Sequence, residues 1–425
     1  MEKNLKKNKI AIIGLGYVGL PLLIEFSKKY KVIGFDLNKK RIEEIESGKD
    51  LYNENIIKKE LHYKNCLLTT KIKNLHSADI FIITVPTPIF KNNKPNLLPL
   101  KKVSRDIASI IKKGSILIFE STVYPGVTED VCVPIIEKYS GKVFNKDFYC
   151  GYSPERINPG DKKHQLKNIV KIVSGSDKKT LDIVDQLYAS IIKAGTYRVS
   201  NIKTAEAAKI IENTQRDINI ALINELSMIF NKLELETEEI LDAASSKWNF
   251  NRYDPGLVGG HCISVDPYYL VAKAKEIGYF PKIISSGRKI NDGMAEYVFN
   301  RTKMYLKTKN ENLKSKKVCI FGITFKEDCP DIRNSQVVKI VDKFRENGSV
   351  VHVHDPVANY DNVWDEFSIR LKKRLNKNYY DIAILAVPHK AFHNLGVKKI
   401  KSFLKKKSIL YDLKWMFKSE YSDLR

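Results

Sequence analysis

The segment Lys9–Leu23, KIAIIGLGYVGLPLL, decides the fold of the first part of the chain. Its apolar run Lys9–Ile13 predicts a buried strand. The following GLGYVG has the G-x-G-x-x-G spacing that opens a helix, predicted over Tyr17–Lys29. A second strand, Lys31–Asp36, ends on an acidic residue. Glycines at these positions let backbone N–H groups approach a pyrophosphate at the helix N-terminus. The segment therefore predicts a Rossmann-type dinucleotide site.

Asp36 indicates which dinucleotide binds. Its carboxylate would accept hydrogen bonds from the adenosine ribose hydroxyls and would repel a 2′-phosphate, which favours NAD over NADP. Arg41 argues against this preference for NAD, because a nearby arginine can accommodate the 2′-phosphate of NADP. We therefore predict NAD as the cofactor. The residues predicted to hold it here are Gly14, Gly16, Tyr17, Val18, Gly19, Asp36 and Arg41.

The rest of the chain alternates between two patterns. Further apolar runs predict strands at Ile80–Val85, Ile116–Glu120 and Ile169–Ser174, and a helix begins in Asn38–Glu46; this alternation predicts a parallel sheet with helices on both faces. From Ile202 to about Leu235 there is no Gly or Pro, and the apolar spacing predicts one helix of roughly 50 Å. Helices are also predicted over Thr237–Ser246 and Ile283–Lys307.

The last hundred-odd residues repeat the pattern of the first. KIAIIG (Lys9–Gly14) resembles KVCIFG (Lys317–Gly322), VIGFD resembles VHVHD (Val351–Asp355), and DIFIITVP resembles DIAILAVP (Asp381–Pro388). We predict an α/β fold in which two Rossmann-like doubly wound domains, 1–200 and 308–425, are joined by a helical domain, 201–307, with a long helix. The second repeat keeps one glycine, and its Lys326 and Arg333 indicate a phosphate ligand held by side-chain cations.

The composition excludes several classes of protein. In 425 residues, 73 Lys+Arg against 49 Asp+Glu give a net charge of +24, which suggests an anionic partner: nucleic acid, an acidic membrane surface or a phosphorylated substrate. No apolar run reaches the ~18 residues of a membrane span. The N-terminus imitates a signal peptide, but the glycine pattern accounts for it better. Six scattered cysteines without C-x-x-C spacing favour a cytoplasmic protein with free thiols.

The segment Gly259–Pro267, GGHCISVDP, contains a candidate nucleophile. Two glycines before Cys262 indicate a loop whose backbone is closely approached by another group, and a cysteine on such a loop in an NAD-binding protein can attack a substrate carbon. The other five cysteines are interpreted as packing residues. His352 and His354 are interpreted as strand residues, and we predict no metal site.

Several motifs, in order along nearly the whole chain, resemble the UDP-glucose/UDP-mannose dehydrogenase superfamily. They are GLGYVGLP, Val85-Pro86-Thr87-Pro88, Glu120-Ser121-Thr122-Val123, Ser153-Pro154-Glu155-Arg156, Lys209 with Asn213, the GGHC loop, and Phe325-Lys326 before Asp331-Ile332-Arg333. The resemblance implies a four-electron oxidation of the C6 alcohol of a UDP-sugar to a carboxylate, with reduction of two NAD. Independently of the resemblance, the length of the central helix predicts a homodimer formed through that helix.

The resemblance further implies the roles of individual residues. Cys262 would carry a thiohemiacetal and then a thioester, Lys209 and Asn213 would stabilise the oxyanion, Thr122 and Asp266 would position water, and Glu155 would act as general base. Pro86, Thr87, Thr122 and Arg333 would contact the cofactor. The substrate would be bound by Glu155, Arg156, Lys209, Asn213, Arg252, Tyr253, Gly259 and Lys326.

The stretch SPERINPG (Ser153–Gly160) with Phe250–Tyr269 indicates the sugar. It resembles the branch that acts on UDP-N-acetylhexosamines, and most closely UDP-N-acetylglucosamine 6-dehydrogenases of surface-polysaccharide pathways; Arg156 could donate to an acetamido carbonyl. UDP-N-acetylmannosamine, UDP-N-acetylgalactosamine and UDP-glucose remain open as substrates. A hydroxyacid dehydrogenase of related fold would lack the cysteine and the third domain. A basic nucleic-acid-binding protein is the remaining alternative, although no motif of that class is present.

Overall fold

The computed structural model describes residues 7–48, 61, 63–157 and 165–425. By density of internal contacts the chain divides into two compact units. The first comprises Met1–Glu212 with Tyr268–Tyr279, and the second comprises Asn213–Pro267 with Phe280–Arg425. Each unit is built around its own sheet, as the two sequence repeats predict.

The first unit contains an eight-stranded sheet in the order β3-β2-β1-β4-β5-β6-β7-β8. Its strands are β1 (Lys9–Ile13), β2 (Lys31–Phe35), β3 (Cys66–Thr69), β4 (Ile80–Ile83), β5 (Ser115–Phe119), β6 (Phe148–Tyr152), β7 (Lys171–Gly175) and β8 (Thr196–Arg198). The helices within it are α1 (Gly19–Ser27), α2 (Lys39–Glu46), α3 (Leu98–Ala108), α4 (Val133–Ser140) and α5 (Lys178–Ala189).

The sheet is covered on both faces, as the sequence predicts. All four residues of β4 and all five of β5 are buried, which is typical of strands with helices on either side. Alternate side chains of β1 enter opposite cores: Ile10 and Ile12 pack with α1, while Ala11 and Ile13 pack in the cluster that includes α3 and α4.

One part of the predicted sheet is wrong. β7 runs antiparallel to β6, with Gly151 opposite Gly175 and Tyr152 opposite Ser174, so the sheet is mixed and not wholly parallel. A parallel pair needs a crossover connection, usually an α-helix. The described residues between these two strands contain only the short 3₁₀ turn Leu166–Asn168. The predicted start of the first helix also shifts, from Tyr17 to Gly19, because Tyr17 and Val18 belong to the glycine turn.

Four helices follow the first sheet in sequence: α6 (Ile202–Lys232), α7 (Thr237–Ser245), α8 (Asp266–Glu276) and α9 (Lys282–Thr308). The three predicted by apolar spacing agree within a few residues. α6 has 31 residues and ends before Glu234, whose φ of +59° is incompatible with continued helix.

The second unit contains a four-stranded parallel sheet in the order β10-β9-β11-β12. The strands are β9 (Lys317–Phe321), β10 (Val350–His354), β11 (Tyr380–Leu385) and β12 (Leu404–Asp412). The helices are α10 (Val337–Glu346), α11 (Tyr360–Phe367), α12 (Lys390–Leu395) and α13 (Val397–Lys401). The first three strands take the same places as β1, β2 and β4, so the sequence repeat is a structural repeat.

Hydrogen bonds confirm that the two repeats are equivalent. The Lys9 amide donates to Asp79 at 2.9 Å, and the Lys317 amide donates to Asp381 at 2.9 Å. Gly14 and Gly322 end their strands with φ of +91° and +89°, a conformation that favours glycine. Each of these aspartates therefore tethers the start of its sheet's first strand, which explains why it is repeated in the sequence.

Among the described residues, no helix combines the length and the apolar character required to cross a membrane. All six cysteines fall within the described ranges, and none of them forms a disulfide. The described residues also contain no cluster of three or more His, Cys, Asp or Glu side chains suited to a metal ion.

Candidate active site

The glycine turn after β1 fits a dinucleotide. A Cβ on Gly19 would lie 1.9 Å from the carbonyl oxygen of Gly14, and a Cβ on Gly14 would lie 3.0 Å from the Thr84 oxygen, so both positions require glycine. A Cβ on Gly16 would meet no heavy atom within 4 Å. The open space beside Gly16, close to the start of α1, is where a pyrophosphate would approach the backbone. The residues present therefore fit NAD.

Asp36 and Arg41 flank this turn. The two Asp36 oxygens accept hydrogen bonds from the amides of Leu15 and Asn38, each at 2.8 Å, which holds the carboxylate at the end of β2. Arg41 is buried, and its Nε donates to the Leu15 carbonyl at 2.8 Å. Arg41 thus stabilises the glycine turn through its hydrogen bond to Leu15. The sequence did not indicate this contact.

The predicted cofactor residues of the first unit lie at one edge of its sheet. Gly14 follows β1, Pro86 and Thr87 follow β4, and Thr122 follows β5. Because these strands are parallel, their carboxyl ends meet at the same edge, where ligands of open α/β sheets bind. Glu155 follows β6 and lies at this edge as well.

Glu155 is buried, and its two carboxylate oxygens have different surroundings. Oε1 accepts from the backbone amide of Arg156 at 2.6 Å and from that of Ile157. Oε2 lies 3.8 Å from Nζ of Lys171. The Arg156 guanidinium forms an ion pair with Glu212 at 3.4 Å. The remainder of the predicted SPERINPG signature, Asn158–Gly160, lies outside the described residues.

Two charged residues beside Glu155 have no role assigned from the sequence, although Glu120 belongs to one of the quoted motifs. Lys171 and Glu120 are buried at strand ends and form an ion pair at 2.5 Å. Burial raises the pKa of Glu120 to about 7, although the charge of Lys171 opposes this shift. No local signal in the sequence separates Lys171 from an exposed lysine at the start of a strand.

The GGHC loop lies in the second unit and packs against the segment Phe325–Ser335. A Cβ on Gly260 (φ +83°) would lie 2.8 Å from the Phe325 ring, and a Cβ on Gly259 would lie 2.9 Å from the Asn334 carbonyl oxygen. The Gly260 amide donates to the Arg333 carbonyl, and the Asn334 side chain donates to the Gly260 carbonyl. The predicted close approach to this backbone is confirmed, and Phe325 and Asn334 are the groups that make it.

Cys262 lies on the loop that leads into α8, whereas Cys132, Cys150, Cys319 and Cys329 are buried. It is half-buried in the turn just before α8, and its carbonyl accepts from the Val265 and Asp266 amides. Burial raises the pKa of the Cys66 and Cys132 thiols to about 12. It also raises those of Cys150, Cys319 and Cys329. A thiol with a raised pKa is a poor nucleophile at neutral pH.

Two of the predicted catalytic residues are in contact. The Asn213 amide donates to Oδ2 of Asp266, the first residue of α8, and both side chains are buried. Lys209 is buried one turn earlier on α6, at 7 % exposure. A lysine on a helix is ordinarily exposed to solvent. A buried lysine such as Lys209 is typical of a functional position.

A cavity of about 100 Å³ opens in the second unit beyond the ends of β9 and β11. These strands flank the point where the strand order reverses, the usual ligand position in such sheets. Lys326 and Gly259 line it, as the resemblance implies for substrate binding. The sequence missed two other lining residues. Gln336 presents a buried Oε1 without a hydrogen-bond partner among the described residues, and Lys414 donates to the Pro255 carbonyl at 3.0 Å.

The remaining predicted residues are held by acidic partners within the second unit. Arg333 donates to both carboxylate oxygens of Asp331. Burial would raise the pKa of Asp331, but the hydrogen bonds and the positive charge of Arg333 lower it. Arg252 donates to Asp254 at 3.0 Å and to Asp242. Tyr253 follows it, half-buried, on the same loop.

Comparison with known proteins agrees with this geometry. Three models of the UDP-glucose/GDP-mannose dehydrogenase family match: its NAD binding domain at residues 8–192, its central domain at 203–293 and its UDP binding domain at 319–419. The UDP-N-acetyl-D-glucosamine 6-dehydrogenase of Salmonella typhi is 49% identical over 98% of both chains. The enzyme of that name from Pseudomonas aeruginosa is 49% identical over 99% of this chain and 100% of its own.

A solved structure agrees as well. The UDP-D-ManNAc dehydrogenase of Pyrococcus horikoshii superposes with a TM-score of 0.88 at 29% identity, covering 97% of this chain and 96% of its own. The glycine turn, the thiol-bearing loop and the second nucleotide-type sheet are therefore parts of one known architecture. The chain belongs to the UDP-glucose/GDP-mannose dehydrogenase family, and its cofactor is NAD.

Proposed function

We propose that this enzyme oxidises the C6 alcohol of a UDP-N-acetylhexosamine, UDP-N-acetylglucosamine first among them, to the uronic acid for surface-polysaccharide synthesis. The observation that carries the proposal is the joint position of the thiol and the cavity. Gly259, three residues before Cys262, lines the same cavity as Lys326. A sugar nucleotide bound by its phosphates there would present its sugar to the GGHC loop. The names of the two relatives at 49% identity favour N-acetylglucosamine.

Bound NAD accepts hydride from the substrate, and two molecules are needed for four electrons. In the proposed sequence the Cys262 thiolate adds to the C6 aldehyde left by the first oxidation, and loss of a second hydride leaves a thioester. Lys209 and Asn213 stabilise the negative charge that develops on the C6 oxygen. The Asn213–Asp266 hydrogen bond supports this role, because it fixes the amide orientation.

Release of the acid is the last step of the proposal. Thr122 and Asp266 position the water, and Glu155 takes its proton as the oxygen attacks the thioester carbonyl. Cys262 leaves as thiolate. The burial of Glu155 supports the role, because a carboxylate shielded from bulk water can act on one ordered water molecule.

Binding of the nucleotide is proposed for the cavity of the second unit. Lys326 offers a cation to the diphosphate, and the open Oε1 of Gln336 can accept a hydrogen bond from an N–H of the base. Gly259, Arg156, Arg252 and Tyr253 are proposed to contact the sugar, and Arg333 the cofactor. Asp36 and the glycine turn, with Arg41 behind it and Pro86 and Thr87 at the next strand, are proposed to bind NAD.

The wider organisation is also proposed. The division into domains 1–200, 201–307 and 308–425 is supported by family models whose bounds fall inside it. A homodimer is supported by exposed apolar side chains at the end of α6, where Leu222 and Ile229 are 52% and 45% exposed and Leu233, just after the helix, is 61% exposed. The scattered cysteines favour a cytoplasmic location.

The test is NADH formation across a panel of UDP-sugars. We expect the highest kcat/KM for UDP-N-acetylglucosamine over its galacto and manno epimers and over UDP-glucose, with two NADH formed per sugar consumed. Replacement of Cys262 by Ala should abolish net formation of the acid. One NADH per sugar, or acid formation at the wild-type rate by the Cys262→Ala variant, would refute the covalent route.

A further inference from the structure

A cluster of charged side chains is buried in the first unit, behind the edge where Glu155 lies. Glu120 follows β5, Lys171 begins β7 and Tyr188 lies on α5. The side chains of Glu120, Lys171 and Glu155 are 0%, 3% and 6% exposed. Two carboxylates thus share one ammonium in the interior, where an unbalanced charge is costly. Such a cluster is rarely retained for stability alone.

Lys171 bridges the two carboxylates. Its Nζ lies 2.5 Å from Oε2 of Glu120 and 3.8 Å from Oε2 of Glu155. The Tyr188 hydroxyl donates to the other oxygen of Glu120, and the Tyr188 ring lies 5.4 Å from Nζ. Glu120 and Tyr188 therefore hold the ammonium in place. The ion pair of Arg156 with Glu212 is the other charged pair next to Glu155 among the described residues.

These contacts give the two carboxylate oxygens of Glu155 different surroundings. Two backbone amides fix Oε1, while Oε2 has no hydrogen-bond partner in the described part of the chain. A carboxylate anchored at one oxygen, with a second oxygen that is buried but has no hydrogen-bond partner among the described residues, can accept a proton from an ordered water molecule as a general base does. The ammonium of Lys171 is near enough to balance the charge of that oxygen, yet at 3.8 Å it does not occupy the oxygen by a hydrogen bond.

We propose that Lys171 is a positioning residue for Glu155, and that its ammonium, held by Glu120 and Tyr188, keeps Oε2 oriented to accept the proton of the hydrolytic water. This inference rests on the proposed function, which makes Glu155 the base. In that step the water oxygen bonds to the thioester carbon, the carbon–sulfur bond breaks, and Cys262 leaves with the electron pair. The water proton goes to Glu155, and the product is the free acid.

The neighbouring groups support this assignment. Tyr188 and Lys171 both compensate Glu120, whose pKa burial nevertheless raises to about 7. Lys171 and Glu120 by themselves would form a buried ion pair with no net charge. The third member, Glu155, lies at the carboxyl edge of the sheet, so the cluster connects the interior to the edge where the chemistry is proposed.

The experiment compares Lys171→Met with Lys171→Arg in the full-length enzyme, with UDP-N-acetylglucosamine and NAD as the probes. We expect Lys171→Met to form the thioester normally and to hydrolyse it about 10- to 100-fold more slowly. The trace should show a burst approaching two NADH per subunit before a slow steady state. Intact-protein mass spectrometry after an acid quench should show the uronyl adduct on Cys262.

Two further variants complete the test. Lys171→Arg keeps the positive charge, so its burst should be much smaller than that of Lys171→Met. Arg198→Met removes a cation from an exposed ion pair with Asp182 and Asp185 in the same unit, and should give no burst. Tyr188→Phe is a milder change that removes the hydrogen bond from the Tyr188 hydroxyl to Glu120. It should also slow hydrolysis of the thioester, by about fivefold. It tests the proposal even where Lys171→Met does not fold.

The outcomes separate this inference from the proposed function. A folded Lys171→Met enzyme that loses rate without a burst or adduct, or a Tyr188→Phe enzyme with wild-type hydrolysis, would overturn the positioning role. An equal burst in Lys171→Arg would also overturn it. If Glu155→Gln gives no adduct while Cys262→Ala still forms acid, then the proposed covalent mechanism itself is wrong, whatever Lys171 does.

Discussion

Arg156 is the residue on which the choice of sugar can be tested. Its guanidinium is about one-third exposed and pairs with Glu212 at 3.4 Å, while its backbone amide holds Glu155. Replacement by Leu removes the donor and leaves the amide in place. If the guanidinium donates to the acetamido carbonyl, Arg156→Leu should lower the preference for UDP-N-acetylglucosamine over UDP-glucose by about tenfold, measured as a ratio of kcat/KM values.

Glu212→Gln is the matched control for this change. It removes the ion-pair partner but keeps the guanidinium, so the preference should remain within about twofold of wild type. A preference that is unchanged in Arg156→Leu would exclude the acetamido role. A preference that falls equally in both variants would assign it to the ion pair and not to the donor.

Single residues were predictable from the sequence where their spacing reports backbone chemistry. Gly14, Gly19 and Asp36 are identified by the turn they build, and the structure gives each the predicted local setting. Lys171 and Gln336 were missed. Their surroundings come from strands and helices distant in sequence, and nothing local distinguishes a buried lysine at a strand start from an exposed one.

The loop between Gly259 and α8 is the element on which the thiol depends. Gly260 has φ +83°, and a Cβ there would lie 2.8 Å from the Phe325 ring. Gly260→Ala should therefore move the loop and Cys262 with it, and we expect kcat to fall at least tenfold, since a displacement of about 1 Å can cost 10²-fold. Steady-state kinetics with saturating substrate and NAD measure the change.

Gly293→Ala serves as the control for the loop substitution. Gly293 lies within α9, where a Cβ meets no heavy atom within 4 Å, and Ala favours a helix over Gly by about 1 kcal/mol. This variant should keep wild-type kcat and unfold at the same or a higher temperature. Wild-type kcat in Gly260→Ala would show that the position of the loop is not critical.

Glu206 on α6 couples that helix to the π-helical turn at Val127–Cys132. Its carboxylate accepts from the Gly126 and Thr128 amides and from the Thr128 hydroxyl. Burial raises its pKa to about 7, against the lowering effect of these hydrogen bonds. The stability that follows from a raised folded-state pKa is present below the ordinary value near 4.5 and is lost as the pH rises through about 7.

Glu206→Gln should therefore show a pH-dependent loss of stability. Compared with wild type, the loss should be largest near pH 5, on the order of 1–3 kcal/mol, and should shrink toward pH 8. Urea unfolding at several pH values measures the difference. Glu225→Gln, an exposed change on the same helix, is the control. A constant difference between pH 5 and 8 would contradict the raised pKa of Glu206.

Elements were predicted best where one period extends over many residues. α6, α7 and α9 agree with their apolar spacing to within a few residues. Strands β3, β6, β8 and β12 were not predicted. β8 has three residues that are half-buried or exposed, and β12 contains Lys405–Lys407 in its exposed half. The antiparallel direction of β7 depends on its connection to β6, which carries no periodic signal.

The net charge of +24 belongs to the whole molecule. NAD and a UDP-sugar are both anionic diphosphates, and a cationic surface increases the rate at which such ligands arrive. Lys209, Lys326 and Arg333 account for only a small part of the excess. In the lysine-rich stretches Lys39–Arg41, Lys314–Lys317 and Lys405–Lys407, Arg41 supports the glycine turn and Lys405 pairs with Asp381 at 2.8 Å. Their other cations contribute to this general attraction.

The state of assembly is the remaining question at this scale, and α6 gives the means to test it. Leu222 and Ile229 lie seven residues apart on its exposed side, and the exposed Leu233 follows directly after the helix. A stable dimer needs a surface of about 800 Å² per partner around such a stripe. Ile229→Glu places a charge in the stripe without touching the core, so it should convert the proposed dimer to a monomer in light scattering after gel filtration. Met304→Glu, at another exposed apolar side chain on α9, should leave the mass unchanged. A wild-type monomer, or an Ile229→Glu dimer, would exclude this face as the interface.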